Sequence, residues 1–295
     1  MVARLALVGA LALAGCTTTS GDVLVSLNAA DGAVGGQDAR VNDGGAGKFD
    51  ASAACAAPPD CPPIAFPGTL SVCGRVIDLA TSQPIPGDGV ISVSFFNFID
   101  FGGGPSLGGA DVDECGRFVA ENVIGVLPGF VVMSADDDDL SGGDYVRVVS
   151  VIDSQVGQVV RANAYALRAT REQTWSTTAG VPSNFDDVGA LLPIFVDFNQ
   201  GPTGYLQGAP VAGVTITQDG SPVTGNDYYF PGGGAVERDT VDPALTTTGA
   251  DGSGLFVNAL VTFEYSGEKA GCTFPTVDGL LFGAIQVQEL VGTCN

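Results

Sequence analysis

From Thr69 onward, apolar residues come in short alternating runs that end in Gly, Pro or Asp, and this punctuation confines most of the chain to short strands. Val72-Cys73-Gly74-Arg75-Val76-Ile77-Asp78 alternates as a strand does, and Gln83-Pro84-Ile85-Pro86-Gly87-Asp88-Gly89 is turn chemistry. Over residues 90–98, Ile91, Val93 and Phe95 fall on one face and Ser92, Ser94 and Phe96 on the other. Asp113-Glu114-Cys115-Gly116-Arg117-Phe118-Val119 reads as a turn leading into a third strand, and residues 123–133 and 145–152 supply more. One stretch, 168–179, favours helix, with Gly180 as its stop. The 43 glycines and 17 prolines support turn-rich β structure, and 45% hydrophobic content is enough for substantial cores in two domains.

The second half echoes the first. Ala209-Pro210-Val211-Ala212-Gly213-Val214-Thr215-Ile216 repeats the Pro84-Ile85-Pro86-Gly87 turn and its following strand. Gly254-Leu255-Phe256-Val257, after Asp251-Gly252-Ser253, lies on Gly116-Arg117-Phe118-Val119. The Gly74-to-Asp78 strand, the Pro-x-x-Gly turn and the Gly-x-Phe strand resemble carboxypeptidase-regulatory-like domains, which implies transthyretin-like sandwiches. The first-strand motif has no recognisable counterpart in the second half. The expectation is an all-β chain of two antiparallel transthyretin/Ig-like β-sandwiches, 67–182 and 183–295, with one short helix and a disordered tether before them.

At the N-terminus a single positive charge, Arg4, precedes an apolar run from Leu5 to Leu13 and then Ala14-Gly15-Cys16. The run falls short of the ~20 apolar residues a spanning helix needs and has the layout of a secretory signal. Leu13-Ala14-Gly15-Cys16 resembles a bacterial lipoprotein signal. That implies removal of residues 1–15, acylation of Cys16 and attachment to a lipid bilayer; an ordinary signal with an incidental cysteine is the alternative. Within that resemblance, Thr17 points to the outer membrane of a Gram-negative cell envelope. Asp251-Gly252-Ser253-Gly254, Ala270-Gly271-Cys272 and the C-terminal cysteine are similar to lipoproteins that myxobacteria carry in many copies. Residues 16–66, rich in Gly, Ala, Asp and Pro, form the acidic linker. About 38 residues of such chain span roughly 30–37 Å.

Setting Cys16 aside leaves Cys55, Cys61, Cys73, Cys115, Cys272 and Cys294, an even set that reads as disulfides in an exported chain. Proximity in sequence favours Cys55–Cys61, Cys73–Cys115 and Cys272–Cys294 among the possible pairings. A metal–thiolate cluster lacks both CxxC spacing and histidine. The formal charge of −22 repels nucleic acid and bare anionic lipid and admits cations or basic surfaces.

With no histidine in the chain, Ser-His-Asp and Cys-His catalysis are impossible. Gly102-Gly103-Gly104 and Gly232-Gly233-Gly234 lack the Gly-Lys-Ser/Thr of a phosphate loop. No catalytic residue is assigned, although paired carboxylates leave a carboxylate-based hydrolase as an alternative. Asp136, Asp137, Asp138 and Asp139, with Asp144 nearby, form an oxygen-rich loop of the kind that suits Ca²⁺, yet match no EF-hand spacing. The competing reading is a solvated acidic loop, and no other cofactor is expected. Phe95, Phe96, Phe98 and Phe101, and Tyr228-Tyr229-Phe230, are dense aromatics. Neighbours such as Phe95 and Phe96 face opposite ways in a strand, so one of them serves interdomain packing or a binding surface. The composite expectation is a non-catalytic, lipid-anchored envelope protein that contacts an unknown envelope protein or glycan. A calcium-stabilised adhesive or carbohydrate-binding module is the alternative.

Overall fold

The computed structural model describes residues 53–87, 91–97, 106–124, 131–137, 144–152, 157–223, 225–233, 237–259, 262–279 and 283–295. The first half contributes β1 (Leu70–Asp78), β2 (Ser92–Asn97), β3 (Gly108–Asp111), β4 (Arg117–Val123) and β5 (Val131–Asp136). It continues with β6 (Tyr145–Val146), β7 (Val148–Ile152), β8 (Val159–Arg161) and β9 (Ala164–Arg168). The second half contributes β10 (Ala190–Asp197), β11 (Ala209–Pro210), β12 (Thr215–Gln218), β13 (Ser221–Pro222) and β14 (Asp227–Tyr229). It ends with β15 (Gly254–Val257), β16 (Glu264–Glu268), β17 (Cys272–Thr273), β18 (Val277–Asp278) and β19 (Ile285–Cys294). The fold is all-β. Its one substantial helix, α2 (Ala169–Ala179), ends on Gly180 in the left-handed conformation, after the single turn α1 (Ala53–Ala56) and before α3 (Phe185–Val188).

Among the described residues the strands form three sheets. The order β4-β1-β9-β6, with β8 also on β1, makes the first, and β13-β12-β16-β18 the last. Between them runs β14-β15-β10-β19-β7-β5-β2-β3, which draws strands from both halves because β19 pairs with β10 on one side and β7 on the other. Most neighbours are antiparallel; β1 with β8 and β9, and β19 with β10 and β7, are parallel.

Alternation sends side chains into separate cores. Val72, Val76, Val93, Phe95, Phe118 and Met133 fill the first sandwich, and Leu191, Phe195, Ile216, Tyr229, Tyr265 and Leu290 the second. A third cluster lies at the seam, where Leu192, Ile194 and Val196 of β10 meet Ile77, Tyr165, Leu167 and Trp175 of the first half. Each large apolar side chain buried this way contributes about 1.5–3 kcal/mol.

Hydrogen bonding aligns the halves as true repeats. In the first, the Val76 amide donates to Gly116 O (2.8 Å), the Ile85 amide donates to Val76 O (2.9 Å), and Ile77 bridges Pro84. In the second, the Phe195 amide donates to Gly252 O (2.9 Å), the Val211 amide donates to Phe195 O (2.9 Å), and Val196 pairs with Pro210. Gly252, not Gly254, is therefore the counterpart of Gly116, a two-residue correction to the alignment expected from sequence. Gly254 stands where the first repeat has Phe118, and the Tyr229 ring occupies that place. The missing first strand is β10: Ile194-Phe195-Val196-Asp197 answers Arg75-Val76-Ile77-Asp78. Pro193 replaces Gly74, whose close approach to the Ala162 carbonyl leaves no room for a Cβ.

Two of the expected strands are divided. Residues 123–133 are not one strand, since β4 ends at Val123 and β5 begins at Val131. Residues 145–152 change sheets at Arg147, with β6 joining β9 and β7 joining β5. The C-terminal strand runs Ile285–Cys294, and Ile285, Gln286 and Val287 are all buried because it is a central strand.

Candidate functional site

Cys16, the expected signal segment and the expected linker up to residue 52 lie outside the described residues, and the described chain begins at Ala53. There the single-turn helix α1 leads into a proline-rich stretch with little apolar burial of its own: from Cys55 to Gly68 only Cys55 and Pro59 are buried. Covalent and polar contacts hold it instead. Cys55 is bonded to Cys115 (Cα–Cα 5.1 Å) and Cys61 to Cys73 (5.7 Å). This overturns the expected Cys55–Cys61 and Cys73–Cys115 pairs. Cys73 lies on the outer face of β1, beneath the proline segment, and Cys115 in the turn before β4, so both receive partners from the segment that crosses them. Cys272 pairs with Cys294 as expected, directly opposite on β17 and β19.

Arg75, almost fully buried, organises this junction. Its guanidinium donates to Cys55 O (2.7 Å), Ala57 O (2.7 Å) and Cys115 O (2.9 Å), and it lies over the ring of Tyr205 from the second half, 5.5 Å from the centroid. Burial and the neighbouring Arg117 lower its pKa, while Tyr205 and Asp113 oppose the shift. Arg161 donates to Pro59 O (3.0 Å), and Asn163 Nδ2 donates to Tyr205 O (2.7 Å). Residues 55–59, the first half and Tyr205 of the second half meet at one point.

A second polar centre lies deeper in the seam. Arg238 is 1% exposed. Its Nη1 donates to Leu79 O and Ser82 Oγ (both 2.9 Å), its Nε donates to Ser253 Oγ (2.9 Å) and lies 3.0 Å from Asp251 Oδ2, and its amide donates to Ala80 O. Trp175 Nε1 donates to Arg238 O (2.9 Å) with its ring edge-on to Phe230. Burial raises the Asp251 pKa against the pull of Arg238. Nearby, Glu289 accepts from Tyr165 OH (2.6 Å) and from the Gln207 amide (3.0 Å), and burial raises the pKa of both side chains. These groups join β1, β9 and α2 to the second half. Asp251 and Glu289 are each engaged in a structural contact.

Of the acidic loop, Asp136, Asp137 and Asp144 are described and Asp138 and Asp139 are not. Asp137 Oδ2 accepts from the Tyr145 amide (3.3 Å) and Asp136 Oδ2 accepts from Ser134 Oγ (3.2 Å), while Asp137 Oδ1 is buried with no partner among the described residues. Among the described residues no three His, Cys, Asp or Glu side chains are grouped to hold a metal ion.

The aromatics divide between faces. Phe95 is in the first core, 6.4 Å from Phe118, whereas Phe96 packs on Val132, Val149 and, from the second half, Ala284. Tyr229 and Phe230 are fully buried in different clusters, and Phe98 and Phe101 lie outside the described residues. Among the described residues, the large apolar side chains left to solvent are Phe66, Ile124, Phe198, Val159 and Val119.

The sequence pointed to the cysteines but not to Arg75, Arg238 or Glu289. For the two arginines the signal was scarcity, since the chain holds only 11 Lys and Arg against 33 Asp and Glu; Glu289 carried no such signal.

No protein-family model and no curated protein matches the chain. Among solved structures, the shaft pilin SpaA of Lactobacillus rhamnosus GG is similar over 78% of this chain and 98% of its own, with 10% identity and a TM-score of 0.22. A streptococcal ancillary pilin aligns over 76% of this chain and 62% of its own, with 11% identity and a TM-score of 0.21. The minor pilin of Streptococcus agalactiae aligns over 77% and 97%, with 11% identity and a TM-score of 0.20. At TM-scores this low the likeness fixes neither topology nor function.

Proposed function

We propose that this is a non-catalytic, lipid-anchored protein of the bacterial cell envelope, whose two β-sandwiches serve a structural or recognition role at the end of an acidic tether. The observation that carries the reading is the junction formed by residues 55–61, bonded through Cys55 to Cys115 and through Cys61 to Cys73. The segment arriving from the anchor side is fixed to the folded body by two disulfides and by Arg75, although it contributes almost no core. Paired cysteines suit an oxidising, extracytoplasmic compartment. The lipid on Cys16 supplies attachment, and the several acyl chains of a mature lipoprotein matter because a single chain binds only marginally. Mass spectrometry of the protein from its host tests this: an N-terminus at Cys16 carrying acyl chains supports the proposal, and an unmodified Cys16 overturns it.

A second reading, a calcium-stabilised adhesive or glycan-binding module, is favoured by the buried Asp137 Oδ1, with no partner among the described residues, beside an acidic loop. Calorimetry with millimolar Ca²⁺ tests the ion. Binding heat with a raised melting temperature supports it, and neither heat nor shift removes it. Glycan arrays with and without calcium then test recognition.

A further inference from the structure

We propose that the double-disulfide junction has a mechanical function: it carries a pull arriving through the N-terminal tether into paired strands, so that the body stays folded while held at its anchor. The inference rests on the N-terminal attachment proposed above.

Consider the same chain without the bridges. A pull at residue 52 would strip away residues 53–68, which bury little, and would then meet Leu70 at the free end of β1. The β1–β4 ladder would open from that end, one pair of hydrogen bonds at a time. The bridges remove this route. Through Cys61 the pull reaches Cys73, inside β1, and through Cys55 it reaches Cys115, at the turn that starts β4. Cys73 is paired with Val119 and Arg75 with Arg117, so both loaded points lie on one ladder, and its strands must move together. Arg75 holds the same carbonyls that flank Cys55 and rests on Tyr205, which extends the contact into the second half.

The far end is closed in a matching way. Cys294 is bonded to Cys272 on the neighbouring strand, its amide donates to Asp197 Oδ1 (3.1 Å), and the Asn295 amide donates to Gly271 O (2.9 Å). A bridge that served only to stabilise a core would be expected between core-forming strands. Two of these three instead secure a segment that has almost no core.

Single-molecule force spectroscopy on the full chain carrying Cys16→Ser tests this, comparing the intact bridges with Cys55→Ser/Cys115→Ser/Cys61→Ser/Cys73→Ser. With handles at the two termini, loss of the bridges is expected to lower the force at which the first half unfolds. It should also release about 200 Å of extra extension, the 60-residue separation of Cys55 and Cys115 at roughly 3.4 Å per residue. With the N-terminal handle moved to exposed Thr177, so that the junction is out of the force path, the unfolding force should not change. An unchanged force between the termini, or an equal fall in both geometries, overturns the proposal. If the fourfold variant loses its first half, Cys55→Ser/Cys115→Ser alone, which opens the bridge nearest the anchor side, decides the matter by the same comparison. Acylation is read from the mass of Cys16 and resistance from the force trace, so failure of one is distinguishable from failure of the other.

Discussion

Asp78 and Asp197 stand at the same point of the two repeats, at the end of the first strand, and each accepts the amide two residues on: Ala80 at 2.8 Å and Asn199 at 3.0 Å. Their electrostatics diverge. Burial works against ionisation of both. At Asp78 it outweighs the Ala80 and Thr81 amides and raises the pKa. Asp197 also receives the Cys294 amide and the Gln200 side chain, and these donors hold its carboxyl below the usual range despite burial. The turns before β4 and β15 diverge likewise. Asp113 is paired with Arg117 four residues along and partly in solvent, whereas Asp251 meets Arg238, buried in the seam. The backbone plan is shared, but the second repeat directs its polar groups toward the other half and toward its own C-terminal strand. A repeat that had to dock needed partners from outside itself.

The largest expected consequence is at the arginines. Replacing Arg238 by Met leaves Asp251 buried and unpaired and should cost about 3–5 kcal/mol, whereas Arg117→Met should cost about 0–1 kcal/mol. Chemical denaturation of both variants checks the contrast, and equal losses would break it. Next come the bridges. In the chain-entropy account, Cys55→Ser/Cys115→Ser should cost about 4 kcal/mol and Cys61→Ser/Cys73→Ser about 3 kcal/mol, by the same measurement.

The two glycines should then respond alike. Gly116 and Gly252 have φ of +73° and +69°, and a Cβ would meet Ile85 O at 2.7 Å or Phe195 O at 2.6 Å. Gly116→Ala and Gly252→Ala should each cost at least about 1–3 kcal/mol. A large effect at Gly254→Ala with none at Gly252→Ala would restore the alignment read from sequence.

The smallest effect concerns pH. Because the folded pKa of Asp197 is depressed, its contribution is present above the unfolded pKa and lost as pH falls through the folded value. Asp197→Asn should therefore lower the melting temperature at neutral pH and lose that penalty in acid. Asp78 has the opposite sign: its raised folded pKa makes ionisation costly at neutral pH, so Asp78→Asn should be neutral or stabilising there. Melting curves from pH 3 to 7 check both.

The strands and the helix were legible because their signals are local. Alternation marked β2, Gly180 stopped α2, and the Pro84 and Pro210 turns announced the repeat. What was hidden depended on residues distant in sequence. Pro193 in place of Gly74 concealed the second repeat's first strand, although the Asp-capped end Phe195-Val196-Asp197 was there to be matched with Val76-Ile77-Asp78. The place of β19 beside β7, and hence the sheet running through both halves, has no local signature. Arg238 reaches Leu79 across 159 residues, a contact no spacing rule finds. The cysteines were identified by number and parity, but proximity misassigned two of three pairs because the proline segment folds back across β1 and does not close on itself.

That fold-back is the centre of the account, and peptide mapping of the unreduced protein after cleavage before aspartate tests it most directly. Asp60 separates Cys55 from Cys61 and leaves Cys61 with Cys73. The structure predicts peptide 50–59 joined to 113–135, and peptide 60–77 closed on itself by an internal bridge. Peptide 60–77 joined to both 50–59 and 113–135 would mean that Cys61 and Cys73 are bonded outward and not to each other, and would contradict it.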